Sequence, residues 1–292
     1  MKIFYSAEMV VDANSYSKSP LKPKPFVEQA LVSFGSRVEV VRPTPVTREQ
    51  LYQAHSQSYV DGVLDLKAVN GFGNKKADVA KSLLWTSGSV LSAAYAALNA
   101  GIACSPTSGF HHAAYESGGG FCTFNGLMVT AIELFTKHNL RVAILDFDQH
   151  YGDGTDDILS TLGYQGKIFH YTSGGDREGT ALGWEVYKRT RLKGLLYTVS
   201  KGTDLVIYQA GADCHVDDPL GGWLTTEQMK ERDDLIIGFL RKRGIPVVWN
   251  LAGGYQADLQ KVIQLHMNTL IASLNALDGK LVDPEWLSSN DG

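Results

Sequence analysis

The stretch Val142-Ala143-Ile144-Leu145-Asp146-Phe147-Asp148-Gln149-His150 decides how the rest of the chain is read. Its opening Val142-Ala143-Ile144-Leu145 is a continuous apolar run, the pattern of a strand buried on both faces of a parallel sheet. If the backbone stays extended, the two-residue repeat puts Asp146, Asp148 and His150 on one side. They then project from the carboxyl end of a strand, where open α/β sheets hold their ligands. Carboxylates and an imidazole gathered there suit a divalent cation. Metal-assisted hydrolysis needs a separate base as well, and the adjacent pair His111-His112 offers one.

Further apolar runs fit strands at residues 2–5, 38–41, 101–105, 167–171, 205–210 and 246–251. Helical patterns lie between them. Thr47-Arg48-Glu49-Gln50 has the form of a capping box and opens a short helix. Residues 78–99 carry Val79, Leu83, Val90, Leu91, Ala94 and Leu98 near helical spacing, with Gly88 as a weak point. Residues 126–138 form another helix, and Thr225-Thr226-Glu227-Gln228 starts one that Gly244 and Pro246 stop. The last, at 258–277, presents Leu259, Val262, Ile263, Leu270 and Leu274 as its core face. Strands separated by such helices imply βαβ crossovers. The expected fold is a single-domain (1–292), three-layer α/β/α architecture with a mostly parallel central sheet. The segment Ser19-Pro20-Leu21-Lys22-Pro23-Lys24-Pro25 reads as an ordered loop.

At 292 residues the chain is near the size limit of one hydrophobic core, about 250–300 residues. No linker composition divides it, which favours one domain. A net charge of −4 without a Lys/Arg block offers no footprint for nucleic acid or an anionic membrane. The apolar start is too short for a signal-peptide core, and no run approaches the roughly 20 residues of a membrane span. Cys104, Cys122 and Cys214 are widely spaced and suit small buried hydrophobes in a reducing, cytoplasmic setting.

Four segments at expected strand ends carry chemistry. They are Ser105 to His112, Asp146 to Gly154, the run ending Gly211-Ala212-Asp213, and the run ending Gly253-Gly254-Tyr255. Taken singly, each has an ordinary reading: an Asp after a buried strand often caps the next helix, and Gly-Gly-Tyr is usually a turn. Their order and spacing, with Ala54-His55-Ser56-Gln57-Ser58-Tyr59-Val60, Gly120-Phe121-Cys122-Thr123-Phe124-Asn125 and Asp218-Pro219-Leu220-Gly221, form a more specific pattern. Over nearly its whole length the chain resembles the histone deacetylase superfamily, which includes bacterial acetylpolyamine amidohydrolases and shares the arginase-like α/β fold.

That resemblance implies a metal-dependent deacetylase. Asp148, His150 and Asp213 would hold one Zn²⁺, with Fe²⁺ as the alternative ion in vivo. Asp146 would orient His111 and Asp153 would orient His112, with His112 the general base and His111 an electrostatic aid. Tyr255 would donate its phenolic hydrogen to the amide oxygen. Phe121, flanked by Gly120, and Gly254 beside Tyr255 would line the substrate channel; by residue type alone, Phe121 fits a core aromatic equally well. Family members also bind a monovalent K⁺ or Na⁺ near the Asp-x-Asp-x-His strand. The implied substrate is a small-molecule or peptide N-acyl amine. His55 reads as packing structurally, His215 as a pocket or rim residue, and His138, His170 and His266 as surface or core histidines.

The chain also departs from the family pattern. Tyr151 follows His150 where many relatives have a second histidine. Ser173-Gly174-Gly175-Asp176-Arg177-Glu178-Gly179-Thr180 replaces the loop that supplies the opposing channel aromatic, leaving Trp184 or Tyr187 as substitutes. Ser19-Pro20-Leu21-Lys22 stands for an early His-Pro-Glu-Arg-like segment. Two other functions compete. A binuclear arginase-like ureohydrolase needs more Asp/His ligands than Asp213-Cys214-His215 supplies, and a non-catalytic acyl-amine binder predicts loss of His112 or Tyr255, which are both present. Oligomeric state is not legible.

Overall fold

The computed structural model describes residues 1–282 and 284–288. One sheet contains β1 (Lys2–Phe4), β2 (Glu39–Val41), β3 (Ile102–Ser105), β4 (Val142–Asp146), β5 (Phe169–Thr172), β6 (Leu205–Gln209) and β7 (Val247–Asn250). The strand order is β2-β1-β3-β7-β6-β4-β5, and each described pairing is parallel. In chain order the helices are α1 (Pro23–Phe34), α2 (Arg48–Tyr52), α3 (Gln57–Leu64), α4 (Ala77–Ala100), α5 (Gly126–His138) and α6 (Asp153–Thr161). Then follow α7 (Arg177–Ala181), α8 (Trp184–Tyr187), α9 (Lys193–Ser200), α10 (Thr226–Lys242), α11 (Leu259–Leu277) and α12 (Glu285–Ser288).

Alternate residues of the central strands feed opposite faces of the sheet. Ala143 and Leu145 of β4 join Val206 and Tyr208 of β6 in one core, where α1, α9, α10 and α11 pack. Val142, Ile144, Leu205 and Ile207 join the other, covered by α2 to α6. This is the expected three-layer, arginase/deacetylase-like α/β fold. Gly88 has a packing reason: a Cβ there would strike the carbonyl of Thr44, so its absence lets α4 lie against residues 44–46.

The Pro/Lys segment is not the loop its composition suggests. A turn at Ser19–Leu21 leads into α1, which begins at Pro23. Proline suits the first helical position, because the amide it lacks has no partner there anyway. β4 also ends at Asp146, so the backbone does not stay extended to His150. After Asp146 the chain turns, as Asp148 N–H donates to Asp146 Oδ1 and His150 N–H to Asp148 Oδ1, both at 3.0 Å. Phe147 still packs with the Ala143 and Leu145 face. Strand alternation therefore survives long enough to keep Asp146 and Asp148 off that face.

The topology assembles the site. β6 and β7 insert between β3 and β4, so the order β3-β7-β6-β4 makes neighbours of the strand ends that lead to His111, Tyr255, Asp213 and Asp148.

Candidate active site

Asp148 and His150 follow β4, while Asp213 follows β6, its partner in the sheet. Their ligand atoms lie within 4.8 Å of one another. His150 Nδ1 sits 3.0 Å from both Asp148 Oδ1 and Asp213 Oδ2. Close backbone approach makes this possible. Gly253 has φ +52°, and a Cβ on it would collide with the Asp213 carboxylate. Burial pushes the Asp213 carboxyl up, and the neighbouring Asp148 charge adds to the rise. Asp148 is held down, against its burial, by His111 and His150. Hydrogen bonds to both carboxylates raise His150 to about 10.

Two buried carboxylates this close require positive charge between them. Two carboxylate oxygens and one imidazole nitrogen form a donor set that catalytic zinc sites use, with positions left open. The residues therefore fit a divalent cation. Among the described residues this is the one cluster with that geometry.

Two His–Asp pairs flank it. His111 Nδ1–H donates to Asp146 Oδ2 at 2.7 Å, and His112 Nδ1–H to Asp153 Oδ1 at 2.6 Å. Asp146 Oδ1 is held in turn by Gln209 Nε2 at 2.8 Å. The two imidazole centroids are 4.1 Å apart, yet their environments differ. Burial works to lower His111, but Asp146 and Asp148 overcome it and lift the ring to about 9. Burial and the His111 charge lower His112, despite Asp153. The two rings are thus pushed in opposite directions, His111 up and His112 down. With Nδ1 engaged in each, Nε2 is the nitrogen left for chemistry.

Tyr255 lies beside this cluster, its ring centroid 6.1 Å from that of His150. Burial, then Asp148 and Asp213, push its phenol far above the ordinary value, so it remains a hydrogen-bond donor. Gly254, at φ +93°, aims the residue. Phe121 stands 6.0 Å from Tyr255 between ring centroids, and Gly120 fits against the His112 ring where a Cβ would strike it. Trp184 and Tyr187 do not line the site. They are 4% and 0% exposed inside a core cluster, with Trp184 Nε1 donating to Glu231, so the substitution suggested by their residue type fails. The aromatic that does reach this place is Tyr16, 61% exposed and stacked 6.3 Å from Tyr255. No periodicity in its segment marks it.

The remaining candidates sort by their partners. His55 is buried, bonding Ala114 O through Nδ1 and accepting Asn125 N–H at Nε2, and so braces the loop before α5. His215 is buried, not at a rim: it pairs with Thr226 and accepts Asp217 N–H. His170 pairs with Asp156, His138 meets Tyr95, and His266 is a core residue. The three cysteines are free and buried. Lys22, 1% exposed, sends Nζ to Leu251 O at 2.6 Å and Gly253 O at 2.5 Å, and burial lowers it to about 7. The signals for it were a cation in the departing early segment and nothing more.

The fold by itself places the chain in the arginase/deacetylase-like class of α/β proteins. The crystal structure of the HDA15 HD domain matches with a TM-score of 0.74 over 98% of this chain and 92% of that one, at 19% identity. The family follows from sequence. The chain belongs to the histone deacetylase family, whose domain model matches residues 22–171 and 192–270, and it is a hydrolytic deacetylase. An uncharacterized protein of Picosynechococcus is 30% identical over 78% of this chain and 82% of its own length. Histone deacetylase 2 of Arabidopsis thaliana is 28% identical over 80% and 68%, respectively. Acetylpolyamine amidohydrolase 2 of Pseudomonas aeruginosa is 26% identical over 51% and 49%.

Proposed function

We propose that this enzyme is a zinc-dependent amidohydrolase that removes an acetyl, or other acyl, group from an N-acylated amine such as acetyl-lysine or an acetylpolyamine. The observation that carries the reading is the meeting of Asp148, His150 and Asp213 beside two imidazoles, each held through Nδ1 by a carboxylate. Relatives named histone deacetylase and acetylpolyamine amidohydrolase support the substrate class without choosing within it. Free, buried cysteines support a reducing, cytoplasmic location. No helix among the described residues is long and apolar enough to cross a membrane.

A divalent cation held by Asp148, His150 and Asp213 would supply Lewis-acid activation of water and carbonyl. The protein's own groups manage the protons. Neutral His112 takes a proton at Nε2 from the attacking water, while Asp153 holds its Nδ1–H. As the water oxygen bonds to the acyl carbon, the carbonyl oxygen gains negative charge, and the Tyr255 phenol donates to it. His111, bonded to Asp146 through Nδ1, assists electrostatically. The C–N bond then breaks, His112 returns its proton to the leaving amine, and the acyl group departs as carboxylate.

A panel of fluorogenic acetyl-lysine peptides, acetylated polyamines and longer acyl amines, assayed with metal-loaded enzyme, tests this reading. Hydrolysis should be abolished by chelator and restored by Zn²⁺. A metal content of two ions per chain with hydrolysis of a guanidino substrate would favour the ureohydrolase instead. The bonds that already engage Cys214 and His215 argue against a second ion there.

A further inference from the structure

The sequence Asp218-Pro219-Leu220-Gly221, in the loop after Asp213, has no part in the mechanism above. Asp218 is nevertheless buried, with 7% of its surface exposed. Its Oδ1 accepts Leu220 N–H at 3.0 Å, which folds the loop on itself. Its Oδ2 accepts Tyr255 N–H at 2.7 Å, a contact that reaches across the site to a different strand end. Tyr255 follows Gly253 and Gly254, both at positive φ, +52° and +93°. A Gly-Gly turn has more backbone freedom than any other pair, so it defines a direction only when pinned. Lys22 pins its carbonyl side through Leu251 O and Gly253 O. Asp218 pins the amide of the tyrosine itself.

We propose that Asp218 is a positioning residue for Tyr255: its carboxylate anchors the tyrosine backbone and so fixes where the phenol donates. A donor displaced by about 1 Å forfeits much of its effect on rate, roughly up to 10²-fold. The simpler possibility is that Asp218 shapes its own loop through Leu220. The two differ in whether the effect passes through the phenol. The proposal rests on the donor role assigned to Tyr255, and the test separates them.

Asp218→Asn, Asp218→Glu and Asp218→Ala are compared as metal-loaded full chains, in the Tyr255 and Tyr255→Phe backgrounds, with metal content measured for each. Asp218→Ala should lower kcat about tenfold or more with KM within about twofold, and cost less than about threefold once the phenol is gone. Asparagine keeps one acceptor oxygen but turns an NH2 donor towards the other backbone N–H, and glutamate keeps both acceptors but displaces them. Each should lower kcat with KM within about twofold, and each loss should shrink below about threefold once the phenol is gone. Should alanine prevent folding, the asparagine and glutamate variants carry the test in the same two backgrounds, and losses of equal size with and without the phenol overturn the proposal. Equal Asp218→Ala losses in both backgrounds overturn it while leaving the donor role of Tyr255 standing. Full activity of Tyr255→Phe overturns the donor role and this proposal together.

Discussion

Two imidazoles whose centres stand 4.1 Å apart cannot both hold a proton without mutual cost. Asp146 and Asp148 settle the proton on His111, and that charge helps to push His112 below the ordinary 6.5. A general base must be neutral to act, so His112 is competent above its own pKa and loses competence as pH falls through it. We therefore expect the acid limb of the kcat/KM profile to have its midpoint below pH 6.5. His112→Ala should lower turnover by about 10² or more and remove that limb, while Tyr255→Phe should lower turnover about 10²–10³-fold and leave the limb in place. Unchanged rates in both variants would contradict the assigned roles. At this scale the Asp146–His150 cluster and the His111-His112 pair stood out because carboxylates and imidazoles are rare together at strand ends, while the ligand set and the His–Asp pairings came only from the family resemblance. Tyr16, Lys22 and Asp218 were not legible as partners. Their contacts to Tyr255 and its turn join distant parts of the chain, which no local spacing encodes.

Elements were readable where one physical signal dominated. All the expected strands occur; central β3, β4, β6 and β7 are fully buried and largely apolar, as in a sheet covered on both faces, while the edge strands β2 and β5 are partly exposed and mixed in composition. α10 was marked by its Thr225–Gln228 capping box. α1 was hidden because its prolines resemble a loop until Pro23 is seen at the first helical position. The segment from α7 to α9 was hidden for another reason: α7 is five residues long, Gly183 separates it from α8, and the helical turn widens over Lys188–Leu192, so no sustained 3.6-residue period runs through it. Family similarity lapses over much of the same segment, since the domain match stops at 171 and resumes at 192. Trp184 shows what this segment does. It stacks with Tyr187 in the core beneath the sheet, away from substrate. Trp184→Ala should therefore reduce unfolding free energy by about 3–5 kcal/mol, read by denaturant melts, with KM unchanged at temperatures where the variant is folded. A rise in KM at full folding would return Trp184 to the channel.

Across the whole molecule, the carboxyl edge of the sheet concentrates negative charge in the least hydrated place available. Asp146, Asp148 and Asp213 are 0%, 3% and 0% exposed, and Asp218 stands close behind at 7%. Buried carboxylates are costly without a counter-charge, so whatever cation completes the site is coupled to folding. A ligand that binds only the folded state stabilises it by about 2.7 kcal/mol when present at a hundred times its dissociation constant. Chelator-treated protein should accordingly melt several degrees lower than protein given Zn²⁺, and Fe²⁺ should be compared in the same way. Asp213→Asn makes the attribution specific. Asp213 accepts Gln149 N–H and bonds His150, so this variant should melt no higher than the chelator-treated parent. It also deletes a ligand, so added Zn²⁺ should no longer raise its melting temperature. A parent whose melting ignores both chelator and Zn²⁺ would show that no cation closes the gap between β4 and β6, and the hydrolytic mechanism would lose its centre.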